Sequence, residues 1–193
     1  MPWKNGGGTT HEIARVPPAG EFEWRLSLAH IERGGPFSNF SGYRRALTLV
    51  SGAGCVLHGV GAVPARLNVP GMTVHFAGEA AVSCELMGGG SCWDLNLMVR
   101  EPGEIVAAQD VRLAPGVVHH LRGALDSSIF CIEGNAECVV DADPEQRFEL
   151  ARHDTFLVGA AESGSVRVRA ESSAAHVVVH AWRIRSDTGG QVK

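Results

Sequence analysis

No stretch of this chain approaches the eighteen or so consecutive apolar residues of a membrane-spanning helix, and its first residues lack the apolar core of a secretory signal. A membrane partner is not expected, and the cytoplasm is the expected compartment. An excess of one charge is missing as well. The 17 Lys and Arg are scattered among 21 Asp and Glu for a net charge of -4, which leaves no basic stripe for nucleic acid. The 5 cysteines, Cys55, Cys84, Cys92, Cys131 and Cys138, lack the two-residue spacings of zinc knuckles or redox motifs and read as buried thiols. Among 9 histidines there is no His-x-His. His119 and His120 are adjacent and would point to opposite faces of a strand, while His176 and His180 would share a face about 13 Å apart along it. Only a meeting across strands of His58, His75 or His153 would supply further ligands, so neither a metal nor a cofactor is expected. Helix signals are scarce. Ala142–Arg147 reads as a short helix or turn, and the tail from Ser186 to Lys193 reads as loose.

What the chain does contain is strand. At 193 residues, 45% hydrophobic and 20% charged, it is long enough for one large core or two small ones. Alternating or apolar runs occur at Trp24–Ile31, Ala46–Val50, Cys55–His58, Met72–Phe76, Val82–Met87, Leu95–Arg100, Ser128–Ile132, Glu137–Val140, Phe156–Val158, Ser165–Ala170 and His176–Ile184. Gly, Pro, Asn, Asp or Ser clusters bound each of them. Sliding the chain over itself by about 82 residues lays Gly52 on Gly134, Leu57 on Val139, Thr73 on Thr155, Ser83 on Ser165, and the run Trp93–Val99 on Ala175–Ala181. The pattern predicts an all-β protein of two similar units joined near Gln109–Leu113. The lobes are drawn at 1–110 and 111–193, within one compact unit. Jelly rolls with one open mouth fit the strand count, whereas an immunoglobulin-like pair lacks its Cys…Trp…Cys spacing.

The candidate site residues come from polar groups set into apolar runs. In Trp24–Ala29, Arg25, Ser27 and Ala29 share one strand face and Trp24, Leu26 and Leu28 the other. If the apolar face is covered by another part of the protein, Arg25 and Ser27 point into a barrel; otherwise Arg25 is simply solvated. Asp94, Asn96 and Met98 form a similar face, with the two polar groups about 6–7 Å apart. They are spaced to touch one small molecule, or else to bond neighbouring backbone at a strand edge. Near the N-terminus, Trp3, Lys4 and Asn5 precede Gly6, Gly7 and Gly8. The order is wrong for a phosphate-binding loop, but it permits a small corner of backbone N–H groups beside a cation. Phe37, Ser38 and Phe40 lie in a Gly- and Ser-rich loop, where aromatic residues either anchor the loop or wall a ligand. No His–Asp pattern marks Ser27, Ser38 or Ser41 as a nucleophile.

The strings Pro2–Thr10, Glu12-Ile13-Ala14, Trp24–Ala29, Gly35-Pro36-Phe37-Ser38 with Phe40, Gly42 and Arg45, and Asp94–Met98 resemble the HutD/Ves family. The motifs cover roughly the first hundred residues. His11, Arg44 and Glu79 depart from the family's usual residues. The resemblance implies a two-lobed cupin (a bicupin of RmlC-like jelly rolls), a bacterial cytosolic setting and a link to histidine utilisation. Its members are regarded as small-molecule binders rather than established enzymes. The expected partner is a small anionic metabolite of the urocanate or formylglutamate class, with homodimer formation left open. The ligand-binding set is Trp3, Lys4, Asn5, Glu12, Arg25, Ser27, Phe37, Ser38, Asp94, Asn96 and Met98. One competing class is a metal-independent isomerase or hydrolase using Glu12 or Asp94 as general base. The other is a structural protein whose motifs lock the lobes together.

Overall fold

The computed structural model describes residues 1–3, 5–121, 125–160, 165–170 and 172–184. Every expected run forms a strand, and seventeen strands in four sheets make up the described residues. The first sheet has the order β1 (Gly8–Val16), β2 (Trp24–Ile31), β9 (Cys92–Arg100), β4 (Tyr43–Gly52), β7 (Thr73–Ala77), and the second has β3 (Gly35–Pro36), β8 (Ser83–Leu86), β5 (Cys55–His58), β6 (Ala65–Leu67). In the third the order is β10 (Glu104–Leu113), β17 (Ala175–Arg183), β12 (Asp126–Glu133), β15 (Thr155–Val158), and in the fourth β11 (Val118–Leu121), β16 (Val166–Ala170), β13 (Ala136–Val140), β14 (Arg147–Leu150). All pairings between these strands are antiparallel. This is a two-lobed, all-β cupin architecture.

The internal repeat is visible in this order. The series β2-β9-β4-β7 is answered by β10-β17-β12-β15, and β3-β8-β5-β6 by β11-β16-β13-β14. Gly52 and Gly134 hold matching places, both at positive φ (97° and 78°). A Cβ there would fall 2.3 Å from the Ser91 carbonyl oxygen and 2.4 Å from that of Ala174. Among the described residues, β1 alone has no counterpart. It extends the first sheet along β2.

Some expectations need correction. The stretch Gln109–Leu113, expected to join the units, belongs to β10, which runs through the 110/111 division and pairs with β17. The chain passes from one pair of sheets to the other between Arg100 and Glu104. A bulge between Ile105 and Ala107, and polar residues at Gln109, Asp110 and Arg112, hide the period of β10. Strands β1, β3, β6, β11 and β14 also escaped, being short or polar on both faces. Ala142–Arg147, read as a short helix or turn, is turn at its start, and its last residue, Arg147, opens β14. The tail from Ser186 lies outside the described residues. All 5 cysteines are free and buried.

Three apolar clusters organise the interior. One fills the first barrel around Leu47, Leu57 and Leu67, and another the second barrel around Ile129, Val168 and Val177. A third joins the lobes face to face: Leu26, Leu95, Leu97 and Val99 of the first sheet meet Phe130, Val178 and Trp182 of the third. Trp24 packs on Trp182 with ring centroids 4.9 Å apart. At about 1.5–3 kcal/mol per fully buried large apolar side chain, this contact is a major source of stability. One polar link crosses it, Thr48 Oγ1 to His180 Nε2 at 3.0 Å, with Thr73 Oγ1 2.7 Å from Thr48 Oγ1. Burial, and secondarily His75, pushes the His180 pKa down to about 3, so the ring is neutral.

Leu97 lies at the centre of this junction with no exposed surface. Leu97→Ala should lower stability by about 2–5 kcal/mol in urea denaturation, with both lobes unfolding in one transition. Two separate transitions in the wild-type chain would show that the junction does not couple the lobes.

Candidate functional site

The strands that give their apolar face to the junction turn the opposite face into the first barrel. There the ladder aligns Arg25, Met98 and Arg45 in one row, Ser27, Asn96 and Leu47 in the next, and Ala29, Asp94 and Leu49 in the third. These rows form the back wall of a cavity of about 580 Å³. Its front is closed by the N-terminal turn and by the loop carrying Pro36, Phe37, Ser38 and Phe40.

Nine of the eleven expected residues line this cavity: Trp3, Asn5, Arg25, Ser27, Phe37, Ser38, Asp94, Asn96 and Met98. Lys4 lies outside the described residues. Glu12 is not part of the lining. It stands opposite Ser27 on the edge strand, in register ahead of a bulge, and its carboxylate lies 4.0 Å from Arg15 Nη1. Glu12 still favours the charged form of Arg25 through space.

The anion corner among the glycines does not form. The Gly6 N–H donates to the Trp3 carbonyl and the Gly7 N–H to Asn5 Oδ1, so both are spent inside the turn. Gly8 is needed for close approach, since a Cβ there would lie 2.2 Å from the His30 carbonyl oxygen. Trp3 Nε1–H donates to Thr10 Oγ1 at 2.7 Å, and its ring meets Phe37 edge-on at 6.1 Å, which ties the turn to the loop.

Arg45, only 5% exposed, is the principal residue missed in the ligand-binding set, although it was among the motif residues. Its guanidinium carbon lies 4.8 Å from the Phe76 ring centroid, 5.5 Å from that of Phe37 and 5.6 Å from that of Phe40. Arg25 sits between Phe22 and Phe40 at 5.1 and 5.3 Å, with Nη2 3.6 Å from Met98 Sδ. Phe40 therefore faces both cations. The signal that could have found Arg45 is its parity with Leu47 and Leu49 in a strand apolar on both faces.

Neither arginine has an ion-pair partner among the described residues. Arg25 Nε, Arg45 Nε, Ser27 Oγ and Asn96 Oδ1 are buried with no hydrogen-bond partner there. Each such group costs about 1–3 kcal/mol when left unsatisfied. Burial lowers the pKa of Arg25, and it pushes that of Arg45 down to about 10 against the favourable field of Asp94. Burial likewise raises Asp94 to about 8, opposed by Arg45, so its carboxyl is mostly protonated at neutral pH. Behind Asp94, hydrogen bonding to Cys55 and then burial hold the thiols of Cys84 and Cys92 protonated.

The second lobe repeats the frame without the chemistry. In its equivalent rows, Ala107, Ala181 and Ser127 replace Arg25, Met98 and Arg45, while Gln109, Val179 and Ile129 replace Ser27, Asn96 and Leu47. Val111, Val177 and Cys131 replace Ala29, Asp94 and Leu49. Five of these nine residues belong to or pack on that lobe's apolar core. No group of three His, Cys, Asp or Glu converges as a metal set among the described residues.

A two-lobed cupin with a polar barrel in its first lobe is the class these features define. Its fold is shared, at 10% identity and a TM-score of 0.59, with a cupin 2 conserved barrel domain protein from Leptotrichia buccalis, over 91% of this chain and 89% of that one. The chain belongs to the HutD family, whose model matches residues 1–176. It is similar to the crystallised HutD of Pseudomonas fluorescens SBW25, with 30% identity, a TM-score of 0.76, and 96% of this chain and 94% of that one covered. It is also 48% identical over 100 residues to an uncharacterized 21.2 kDa protein of the hutC 3' region of Pseudomonas putida, covering 51% of this chain and 52% of that protein. A second relative is Protein Ves of Citrobacter koseri, 41% identical over 99 residues and 51% of each chain. The chain thus spans about half the length of these curated relatives. The family is linked with the histidine-utilisation region. No helix of the described residues is long and apolar enough to cross a membrane.

Because the Asp94 pKa is raised by folding, its contribution to stability is complete below the unfolded value of 3.8 and lost as pH climbs through about 8. Asp94→Asn mimics the protonated form. The variant should gain stability relative to wild type between about pH 5 and about pH 9, as read from denaturation midpoints at each pH. A difference that stays constant over that range would mean Asp94 is ionised throughout.

Proposed function

We propose that this protein binds a small carboxylate metabolite in its first lobe and acts as a sensor or limiter of histidine breakdown. The observation that carries the reading is a pair of arginines, Arg25 and Arg45, lining one cavity with Nε atoms unpartnered and no carboxylate in ion-pair contact among the described residues. A bound carboxylate would supply the missing charge and acceptors. In this reading Ser27 and Asn96 orient the ligand, the protonated Asp94 donates to it, and Trp3, Phe37, Phe40 and Met98 wall the cavity. Urocanate and formylglutamate are the candidate ligands. They are drawn from the family resemblance and supported by the hutC-region naming of the Pseudomonas putida relative.

One observation favours a second reading, an enzyme in which Asp94 moves a proton. A carboxyl titrating near neutrality can act as general acid or base. The two readings differ in what becomes of the metabolite.

Calorimetric titration with urocanate and with N-formylglutamate tests both. Arg25→Met and Arg45→Met should each weaken binding by about 1.5–3 kcal/mol, roughly 10- to 150-fold. Unchanged affinity in both variants would remove the cavity assignment. Asp94→Asn should shift selectivity while the ligand is recovered intact from wild type and variant alike. Turnover by wild type that collapses in Asp94→Asn with binding retained would make the protein an enzyme.

A further inference from the structure

A second, larger concavity of about 910 Å³ opens where the rim of β4 and β7 meets the turn between β9 and β10. Arg45 lines it as well as the first cavity, whereas Arg25, Ser27, Asp94 and Asn96 line only the first. Arg45 is nine-tenths buried with an unpartnered Nε, and a guanidinium carries five N–H donors, more than one carboxylate uses.

The rest of the groove fits an acid bearing a ring. Phe76, Pro102 and Ile105 give apolar walls. His75 projects from the opposite face of β7 to Phe76, and its ring makes no hydrogen bond or ion pair with a described residue. Burial lowers its pKa, so near neutral pH it offers one donor and one acceptor nitrogen. The acidic groups on the rim do not neutralise Arg45. Glu101 is paired with Arg44 at 2.7 Å, and Glu104 with Arg183 at 3.2 Å.

We propose that this inter-lobe groove is a second carboxylate site, sharing Arg45 with the cavity, for an aromatic or heteroaromatic monocarboxylate whose ring lies between Phe76 and Ile105 and whose polar edge meets His75. The proposal rests on the reading of Arg45 as an anion-binding group. It differs from the cavity site in every other contact.

The probe is 5-bromonicotinate on the full chain, its ring nitrogen supplying the polar edge. Titration should give two equivalents bound. Arg25→Met should abolish or weaken one step, His75→Leu should weaken the other about threefold to tenfold, the loss of one neutral hydrogen bond, and Arg45→Met should affect both. Crystals soaked in the probe should show an anomalous bromine peak between Phe76 and Ile105, which keeps the test decisive even if a variant fails to fold. A single equivalent removed by Arg25→Met, untouched by His75→Leu and without bromine in the groove overturns the proposal and leaves the cavity reading standing. A single equivalent weakened by His75→Leu and by Arg45→Met but untouched by Arg25→Met supports the groove and removes the cavity reading. Absence of binding at millimolar probe overturns the groove proposal, whereas the cavity reading stands or falls with the urocanate and N-formylglutamate titrations.

Discussion

The burial of one face of the first sheet against the third governs the rest of the structure. Leu26, Leu95, Leu97 and Val99 leave water by packing on Phe130, Val178 and Trp182. Because strand side chains alternate, the residues between them are turned the other way, into the barrel. Arg25, Ser27, Asp94 and Asn96 are thereby gathered around one space, although each lies in an apolar run. Had the apolar face been turned into the barrel, these polar groups would lie against the other lobe, and the cavity would have no charge.

That arrangement carries a potential cost. Four polar atoms without a protein partner would cost about 1–3 kcal/mol each if nothing in the cavity met them, a large fraction of a typical stability of about 5–15 kcal/mol. The second lobe demonstrates that the same frame is readily filled by Ala, Val and Ile. The first lobe offsets part of the cost by stacking its arginines on Phe22, Phe37, Phe40 and Phe76, and by keeping Asp94 largely protonated. Packing alone does not explain why the charges are kept. The carboxylate ligand proposed above would account for them.

Much of this was legible in the residues. The strand runs and the internal repeat appear in the folded chain, and Trp24–Ile31 and Cys55–His58 coincide with strands residue for residue. The repeat also misled in one respect. It set Trp93–Val99 on Ala175–Ala181, yet Leu95, Leu97 and Val99 face the junction while Val177 and Val179 face the second barrel. A shift of one residue exchanges the faces of a strand. Strand β10 and edge strand β1 were hidden by bulges, which break the two-residue period.

The sequence by itself determined the all-β class, the two similar units and the division of β2 and β9 into an apolar and a polar face. Local alternation is a property of neighbouring residues, so it is written in the chain. Which face became the interior was decided only when the second lobe covered the apolar one. The same holds for Arg45, whose strand is apolar on both sides, and for Glu12, which the edge strand leaves outside the cavity lining. Their environments are set by strands and loops tens of residues distant, through pairings and contacts that no local pattern encodes.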